Sequence, residues 1–217
     1  ILSYAGEVSR QNMPVNTWAE YVAFLEQDLN EAEALLEKVE KKGIENDYFT
    51  YRQNRMNYWA VMAVKARFYL WIQNKEKAAE YAKKVIDGVG EQFKLSQPEN
   101  FTNKDYIASS EHLFSVHVYD LEDITETFIY RSGGVEQTKS LIVELFEGDV
   151  TDVRGDGKLW QQLQGGTTGN RYVLMKYKQS EAQVATREQI PLVRLYEMYL
   201  IAIECSDNSA VYQPLIN

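Results

Sequence analysis

The chain has 217 residues and a formal net charge of −9, from 32 acidic and 23 basic side chains. That length is enough to bury a hydrophobic core in one large domain or two small ones. The negative charge argues against nucleic acid and against an anionic membrane surface as partners of this protein.

Cysteine content and hydropathy exclude further classes of protein. The single cysteine, Cys205, cannot form an internal disulfide, and its apolar neighbours predict an inert thiol in the core. No stretch of the sequence is long and apolar enough to span a membrane. The opening residues, ILSYAGEV, show no basic segment followed by an apolar run, so no secretory signal is visible.

The first predicted element is a helix over residues 17–42. Thr17 and Glu20 have the spacing of a capping box, in which the hydroxyl accepts a hydrogen bond from a free N–H group and the carboxylate reaches back. From Trp18 to Val39, apolar side chains recur at helical spacing on one face. Because the charged side chains lie mainly on the other faces, we interpret them as a solvated surface and not as a catalytic or metal-binding cluster.

Residues 54–73 and 75–89 predict two helices joined by a tight turn. The first is apolar on most of its faces, which is typical of a helix that lies between other elements. Ala66, Tyr69 and Ala78 have the spacing of the tetratricopeptide (TPR) pattern, in which small residues let paired helices approach and the tyrosine fills the groove.

The TPR match is partial. Met62 stands where the pattern has a tryptophan, and Ala82 stands where it has a large aromatic residue. An ordinary helical hairpin therefore stays open as the alternative.

The middle of the chain predicts long loops with a few short elements. Residues 90–110 and 120–134 show no clear period and are interpreted as loops. The short elements are predicted strands at 111–119 and 171–178 and an amphipathic helix at 137–147.

The positions of histidine and aspartate argue against a metal or catalytic site. His112 and His117, the only two histidines, lie five apart on a predicted strand, so they point to opposite faces and cannot share a metal by local geometry. Neither a histidine metal site nor a Ser–His triad is therefore expected. Asp149, Asp152 and Asp156 lack the ligand spacing of a calcium loop. We expect no metal and no cofactor.

The segment IPLVRLYEMYLIAIEC at residues 190–205 predicts a helix over residues 192–205 with an apolar stripe, and Pro191 sits where a helix can begin. Arg194 and Glu197 lie three apart within this otherwise apolar helix, which is the spacing of a helical ion pair. We expect them to pair with each other and to orient the helix through buried polar contacts, a structural role.

Five segments of the chain resemble the SusD/RagB family. The segment IPLVRLYEMYLIAIEC is similar to the family's long signature, and AVKARFYLWIQNKEKAAEYAKKVID resembles its TPR hairpin. The other three segments, EHLFSVHVY, GDVTDVR and RYVLMKY, resemble shorter family motifs. All five stand in the family's order and together cover about residues 15–210.

The resemblance implies a mainly α fold of TPR-like helical hairpins with long loops and a few short strands. It implies one SusD-like domain fragment over residues 1–217, with helices at about 17–89 and 190–217 and a loop-rich insert at about 90–189. Family members are about twice as long and carry a lipid-anchor cysteine near the N-terminus. Because the chain also begins at Ile1, we expect it to be truncated, incomplete at both ends.

The resemblance also implies a function. Family members are lipoproteins on the outer face of the Bacteroidetes outer membrane, where they bind glycans or other nutrients above a SusC-like TonB-dependent transporter. They are not enzymes. The expected role is therefore nutrient uptake at the cell surface, with an oligosaccharide or other small nutrient and the transporter as partners.

The expected ligand contacts are aromatic side chains at loop edges, because flat aromatic faces suit the C–H surfaces of sugars. The candidates for these contacts are Tyr119, Tyr130, Arg131 and Trp160. Trp160 is the best of them, since it follows a glycine-rich run and precedes Gln161 and Gln162, whose amides can meet sugar hydroxyls. The alternative for each aromatic is packing on the helical core.

Two other functions stay open. The first is a TPR-like scaffold that binds a protein segment in a helical groove and has no affinity for sugars. The second is an all-α glycoside hydrolase, which needs two opposed carboxylates roughly 5–10 Å apart in a cleft. The sequence singles out no such pair.

Overall fold

In the computed structural model, the structure describes residues 15–41, 51–130, 136–149, 151–155, 159–163, 171–179, 182 and 187–206. The α-helices in these ranges are α1 (Trp18–Lys41), α2 (Tyr58–Trp71), α3 (Lys75–Gly88), α4 (Pro98–Thr102), α5 (Leu121–Thr125), α6 (Lys139–Leu145) and α7 (Leu195–Cys205). The strands are β1 (His112–His117), β2 (Glu136–Gln137), β3 (Trp160–Leu163), β4 (Arg171–Leu174) and β5 (Gln189–Arg194). The prediction of a mainly helical chain with a few short strands is confirmed.

The first helix starts where its capping box predicts. The Glu20 carboxylate accepts from the Thr17 backbone N–H at 2.8 Å and from the Thr17 hydroxyl at 2.9 Å, and the hydroxyl accepts from the Glu20 N–H at 3.3 Å. These bonds hold the pKa of Glu20 below its usual value. The reciprocal bonds satisfy N–H groups that a helix end leaves free.

Helices α2 and α3 form the predicted hairpin. Asn57 caps α2 by accepting from the Ala60 N–H at 3.1 Å, and Asn74 caps α3 by accepting from the Lys77 N–H at 3.1 Å. The helices are antiparallel, because the end of α3 lies against the start of α2: a Cβ added at Gly88 would collide with the ring of Trp59.

Small residues let the helices of this layer approach closely. Ala66, Ala78 and Ala82 are fully buried, and Tyr69 is 2% exposed. All four belong to the main core, to which α7 adds Met198, Ile201 and Ala202 among its buried residues. Cys205 lies at the edge of this core and is half-buried. Burial raises the pKa of its thiol.

The predicted C-terminal helix is wrong over its first residues. Residues Gln189–Arg194 form β5, which pairs antiparallel with β1, and the helix begins only at Leu195. Proline restricts the residue before it to extended conformations, which suits Ile190 to a strand, and the residues after Pro191 continue that strand beside β1. Val193 gains burial by lying opposite Phe114, so the pairing with β1 decides the conformation.

The predicted Arg194–Glu197 pair is also wrong. Arg194 lies on β5 and donates to the Glu111 carboxylate at 2.8 Å. Glu197 lies on α7 and receives a bidentate fork from Arg67 at 2.7 and 2.6 Å. The helical spacing rule fails because the helix begins between the two residues.

The second sheet has the strand order β2-β4-β3 and covers a smaller core. Tyr106, Tyr130, Val173 and Met175 form that core. The predicted strand over 171–178 ends at Leu174 and continues as a 3-10 turn, Met175–Tyr177. The region predicted as loop at 120–134 contains α5 and a π-helix, Glu126–Tyr130, and the loop at 90–110 contains α4.

The two histidines of β1 differ in exposure, as expected for residues on opposite faces. His112 is fully buried and its Nε2 donates to the Ile107 carbonyl at 3.0 Å, whereas the His117 side chain is 53% exposed. Among the described residues, no three His, Cys, Asp or Glu side chains are grouped so as to hold a metal ion. None of the described helices is long and apolar enough to cross a membrane.

We expect acid to destabilise the protein through His112. Burial lowers the pKa of His112 below its usual 6.5, and Arg194 acts in the same direction, against the Ile107 hydrogen bond, Asp105 and Gln189. The unfolded chain then binds more protons than the folded chain between the two pKa values. The free energy of unfolding should therefore fall as the pH drops below about 6.5.

Denaturant unfolding at pH 7.5, 6.5 and 5.5 measures this effect. His112→Gln, which keeps a donor but cannot titrate, should show a flatter fall than the parent chain. Comparison of the two slopes removes the contribution of the carboxylates, which titrate in both proteins. Equal slopes would contradict the prediction.

Candidate ligand-binding face

The second sheet presents two chemically different faces. Trp160 pairs with Leu174, Gln161 with Val173, and Gln162 with Tyr172, while Tyr172 pairs on its other side with Gln137. Residues directly opposite each other share a face, and side chains alternate along a strand. The face defined here as the Trp160 face therefore carries Trp160, Gln162, Leu174, Tyr172 and Gln137.

The opposite face of the sheet belongs to the second core. Val173 is fully buried there against Tyr106 and Tyr130. Gln161 lies on the same side, and its amide Nε2 donates to the Tyr106 hydroxyl at 3.3 Å. Of the two glutamines that follow Trp160 in sequence, only Gln162 therefore lies on the Trp160 face.

The Trp160 face combines an aromatic ring with amides. Trp160 and Gln137 are half-buried, Gln162 is exposed and Tyr172 is 4% exposed. Trp160, which was expected at the edge of a loop, is the first residue of β3. Its N–H bonds to the Gly155 carbonyl at 3.3 Å, and its strand pairs with β4. A position on a paired strand holds a side chain more rigidly than a loop does.

Tyr130 is a core residue and not a ligand contact at a loop edge. Its side chain is 4% exposed. Its hydroxyl donates to the Leu174 carbonyl at 3.0 Å and accepts from the Tyr177 N–H at 3.2 Å. Burial raises the pKa of this phenol. The sequence pattern predicts a loop over residues 120–134, whereas a π-helix there turns the ring of Tyr130 inward.

Tyr119 is 78% exposed and follows β1. Arg131, the neighbour of Tyr130, lies outside the described residues. The structure adds two exposed apolar residues that the sequence analysis missed, Ile124 at 44% and Phe128 at 70%. Their spacing of four becomes meaningful once the segment is known to be helical.

Tyr130 and Trp160 lie on opposite sides of the second sheet. Tyr130 belongs to the same π-helix as Phe128 and packs against Val173, which is on the face of the sheet away from Trp160. Among the candidates from the sequence, Trp160 is therefore the one that shares a face with an exposed amide.

Solved structures of SusD superfamily proteins share this fold. One from Bacteroides vulgatus has a TM-score of 0.66 and 22% identity, over 94% of this chain and 46% of its own. A candidate sugar-binding protein from the same species has a TM-score of 0.63 and 24% identity, and the match covers 95% of this chain and 44% of that protein. One from Bacteroides thetaiotaomicron has a TM-score of 0.59 and 21% identity, over 75% and 40%.

These matches show the fold, and they confirm at that level the resemblance carried by the five sequence segments. The chain spans less than half of the length of each of these solved proteins. No protein-family model matches the sequence, and no curated protein matches it.

Proposed function

We propose that this chain is part of a SusD-like protein that binds a glycan, or another small nutrient, at the bacterial outer-membrane surface. In this proposal a lipid anchor holds the protein at the cell surface, and the ligand passes to a SusC-like TonB-dependent transporter. The observation that carries the proposal is the Trp160 face, where an indole and an exposed amide lie on one side of a paired strand.

The chemistry of this face suits a sugar. One face of a sugar ring is rich in C–H groups and stacks on an aromatic ring, while its hydroxyls need hydrogen-bond partners. The Trp160 indole offers the first contact. Gln162, two residues further along β3, offers an amide that both donates and accepts. The likeness in fold to a candidate sugar-binding protein supports the same ligand class.

Capture of this kind requires no reaction. Stacking and hydrogen bonding hold the ligand in its ground state, whereas turnover needs groups that stabilise a transition state. We therefore propose a binding protein and expect no cleavage of bound oligosaccharides, which chromatography of the recovered ligand would reveal.

Trp160→Ala should weaken oligosaccharide binding about 10- to 100-fold, taking one aromatic stacking contact as about 1–3 kcal/mol by analogy with base stacking. The half-buried ring is not a member of either core cluster, so the fold should survive. Titration calorimetry with a panel of oligosaccharides measures the affinity, and circular dichroism checks the fold.

Trp18→Ala is the matched control. Trp18 is 60% exposed at the start of α1, in the helical layer, and its loss removes the same type of ring from a different surface. Unchanged affinity in Trp160→Ala, or loss of the folded state, would make Trp160 a packing residue and remove this site.

The second candidate function is a TPR-like scaffold for a protein partner. The observation that favours it is an exposed aromatic pair. The ring centroids of Trp18 and Trp71 lie 4.6 Å apart, and Trp18 is 60% exposed and Trp71 48% exposed. Exposed tryptophans are typical of protein interfaces. Under this function the panel shows no affinity for sugars, and Trp18→Ala, not Trp160→Ala, weakens partner binding.

A further inference from the structure

The Trp160 face contains a buried tyrosine whose hydroxyl has no partner. Tyr172 is 4% exposed, and it lies on β4, the central strand of the sheet, which is paired on both sides. No described residue forms a hydrogen bond with its hydroxyl. The hydroxyl is also not one of the enclosed polar atoms that lack a partner. It therefore reaches the surface of the Trp160 face, where a ligand can bind it.

Tyr172 is the middle of a row of three polar side chains. It lies directly opposite Gln137 of β2 on one side and opposite Gln162 of β3 on the other. We call these three residues the Tyr172 row. Neighbouring strands are about 4.8 Å apart, so the row extends over about 10 Å. Trp160 is a diagonal neighbour of Tyr172, at about 7–8 Å, so one short oligosaccharide can reach both.

The Tyr172 row offers neutral groups that both donate and accept hydrogen bonds. Each glutamine amide has an acceptor oxygen and a donor NH2 group, and the phenol hydroxyl can do either. Sugar hydroxyls have the same double character, so they can pair with the row without leaving a donor or an acceptor unsatisfied. A carboxylate or a sulfate only accepts, and it brings a charge that needs a cation nearby.

The described positions of the Trp160 face supply no such cation. Glu136, the charged residue of β2, lies on the opposite face, beside the second core. Lys176 and Lys178 follow β4, and they line a crevice with Tyr106, which belongs to that core. These two ammonium groups are therefore on the other side of the sheet.

Arg154 lies near the start of β3, but its charge is matched. The Trp160 N–H bonds to the carbonyl of Gly155, the residue that follows Arg154. The guanidinium of Arg154 forks the Asp152 carboxylate, with Nε at 2.9 Å and Nη2 at 2.6 Å. This pair has no net charge, and the chain as a whole carries −9, which repels anions.

We propose that the Tyr172 row selects an uncharged glycan, whose hydroxyls bind the row while one of its rings stacks on Trp160. This inference rests on the proposed function and names its ligand class. Tyr172 is then a specificity-determining residue. Its buried ring fixes the position of the hydroxyl, so little conformational freedom is lost when a ligand binds. An acidic sugar would place an unpaired charge on a partly desolvated surface, which is costly.

The test is titration calorimetry with short neutral hexose oligosaccharides, each matched with a counterpart in which CH2OH groups are oxidised to carboxylates. The parent chain should bind the neutral member of a pair at least about 10-fold more tightly. The preference should persist when salt is raised, because salt screens the distant charges of the chain but does not supply the missing local cation.

Tyr172→Phe should lower the affinity for the neutral ligand about 3- to 10-fold, the loss expected for one neutral hydrogen bond. Tyr106→Phe is the matched control, because it removes the same hydroxyl from the other face of the sheet, where Tyr106 is 7% exposed and accepts from Gln161. Denaturant unfolding checks that both variants are folded.

Gln137→Lys tests the row from its other end by adding the missing cation. It should raise the affinity for the acidic counterpart about 10-fold, through one charge-assisted hydrogen bond, and so narrow the preference for the neutral ligand. Gln27→Lys is its control, because Gln27 is exposed on α1 and the variant adds the same charge to the helical layer.

The outcomes separate this inference from the proposed function. Equal or tighter binding of the acidic counterparts by the parent chain, with dependence on Trp160, overturns selection by the Tyr172 row and keeps the proposed function. An equal effect of Tyr172→Phe and Tyr106→Phe also overturns it, as does an unchanged preference in Gln137→Lys. Neutral binding that needs Tyr172 but not Trp160 keeps the row and removes the stacking contact. A parent chain that binds no oligosaccharide overturns both proposals.

Discussion

Glu33→Ala should lower the free energy of unfolding by roughly 3–5 kcal/mol, because it leaves the buried ammonium of Lys65 without its counter-charge. The Lys65 side chain is 1% exposed, in the middle of α2, and pairs with Glu33 of α1. It also donates to Asn30 Oδ1 at 2.7 Å and lies 4.3 Å from the centre of the Tyr81 ring. A buried charge is costly when its partner is removed.

Lys65→Met is the informative counterpart. Methionine fills a similar volume without a charge, so this variant should cost much less than Glu33→Ala. The Glu33 side chain, which is 23% exposed, can then be solvated. The double variant should recover most of the loss seen in Glu33→Ala.

Denaturant unfolding, followed by circular dichroism, gives the three free energies. If Lys65→Met were the more damaging single change, the pair would contribute mainly through the packing of the lysine stem. If Glu33→Ala cost less than about 1 kcal/mol, the pair would behave like an exposed one.

The contact between Lys65 and Glu33 is one of the polar contacts that hold α1 against the hairpin. None of the α1 side chains whose burial is described is fully buried, yet the helix supplies Glu26 and Glu33 to polar groups of the hairpin. Tyr69 donates to Glu26 at 2.7 Å, and Tyr81 donates to Glu33 at 3.3 Å. We expect α1 to be the first helix of this layer to lose its contacts in Glu33→Ala, and hydrogen exchange would detect this.

Arg194→Ala should lower the free energy of unfolding by about 3 kcal/mol, for a similar reason on the other side of the core. It removes the cation from the Glu111 carboxylate, whose side chain is 7% exposed. Among the described residues, the Ser96 N–H, at 3.0 Å, is then the hydrogen-bond donor that remains to that carboxylate. One neutral donor compensates a buried carboxylate only in part.

Glu197→Ala is the matched control for Arg194→Ala. The Arg67–Glu197 pair is exposed, with 45% and 31% of its side chains accessible, so its loss should cost less than about 1 kcal/mol. Because Arg194 and Glu197 have different partners, the two single effects should add in the double variant. A large coupling energy between them would instead support direct pairing of the two residues.

Thermal and denaturant unfolding measure this cycle. The four proteins are the parent, both single variants and the double variant. Arg194→Lys is a useful fifth, since it keeps the charge but loses the planar guanidinium. The free energy of unfolding of Arg194→Lys should lie between that of the parent and that of Arg194→Ala. Stability of Arg194→Ala equal to that of the parent would contradict this prediction and show that the Glu111 carboxylate does not depend on Arg194.

Local pattern was sufficient for the first three helices. The capping box at Thr17, the break at Asn74 and the small residues of the hairpin specify α1, α2 and α3 to within a few residues of the predicted ends. A cap, a turn and an apolar period act between residues three or four apart. Such contacts can therefore be identified from the sequence alone.

Tertiary structure decided the strand, the ion pairs and the candidate site. Residues 190–194 became β5 because β1 lies alongside them, and Arg194 then met Glu111, 83 residues earlier in the chain. The side chain of Tyr130 is buried in the second core, whereas the pairing of β3 with β4 puts Trp160 and Gln162 on one face of the sheet. The sequence alone determined the helical hairpin and the identity of the best aromatic candidate. Which faces and partners those side chains have was decided by contacts between distant segments, which no local spacing encodes.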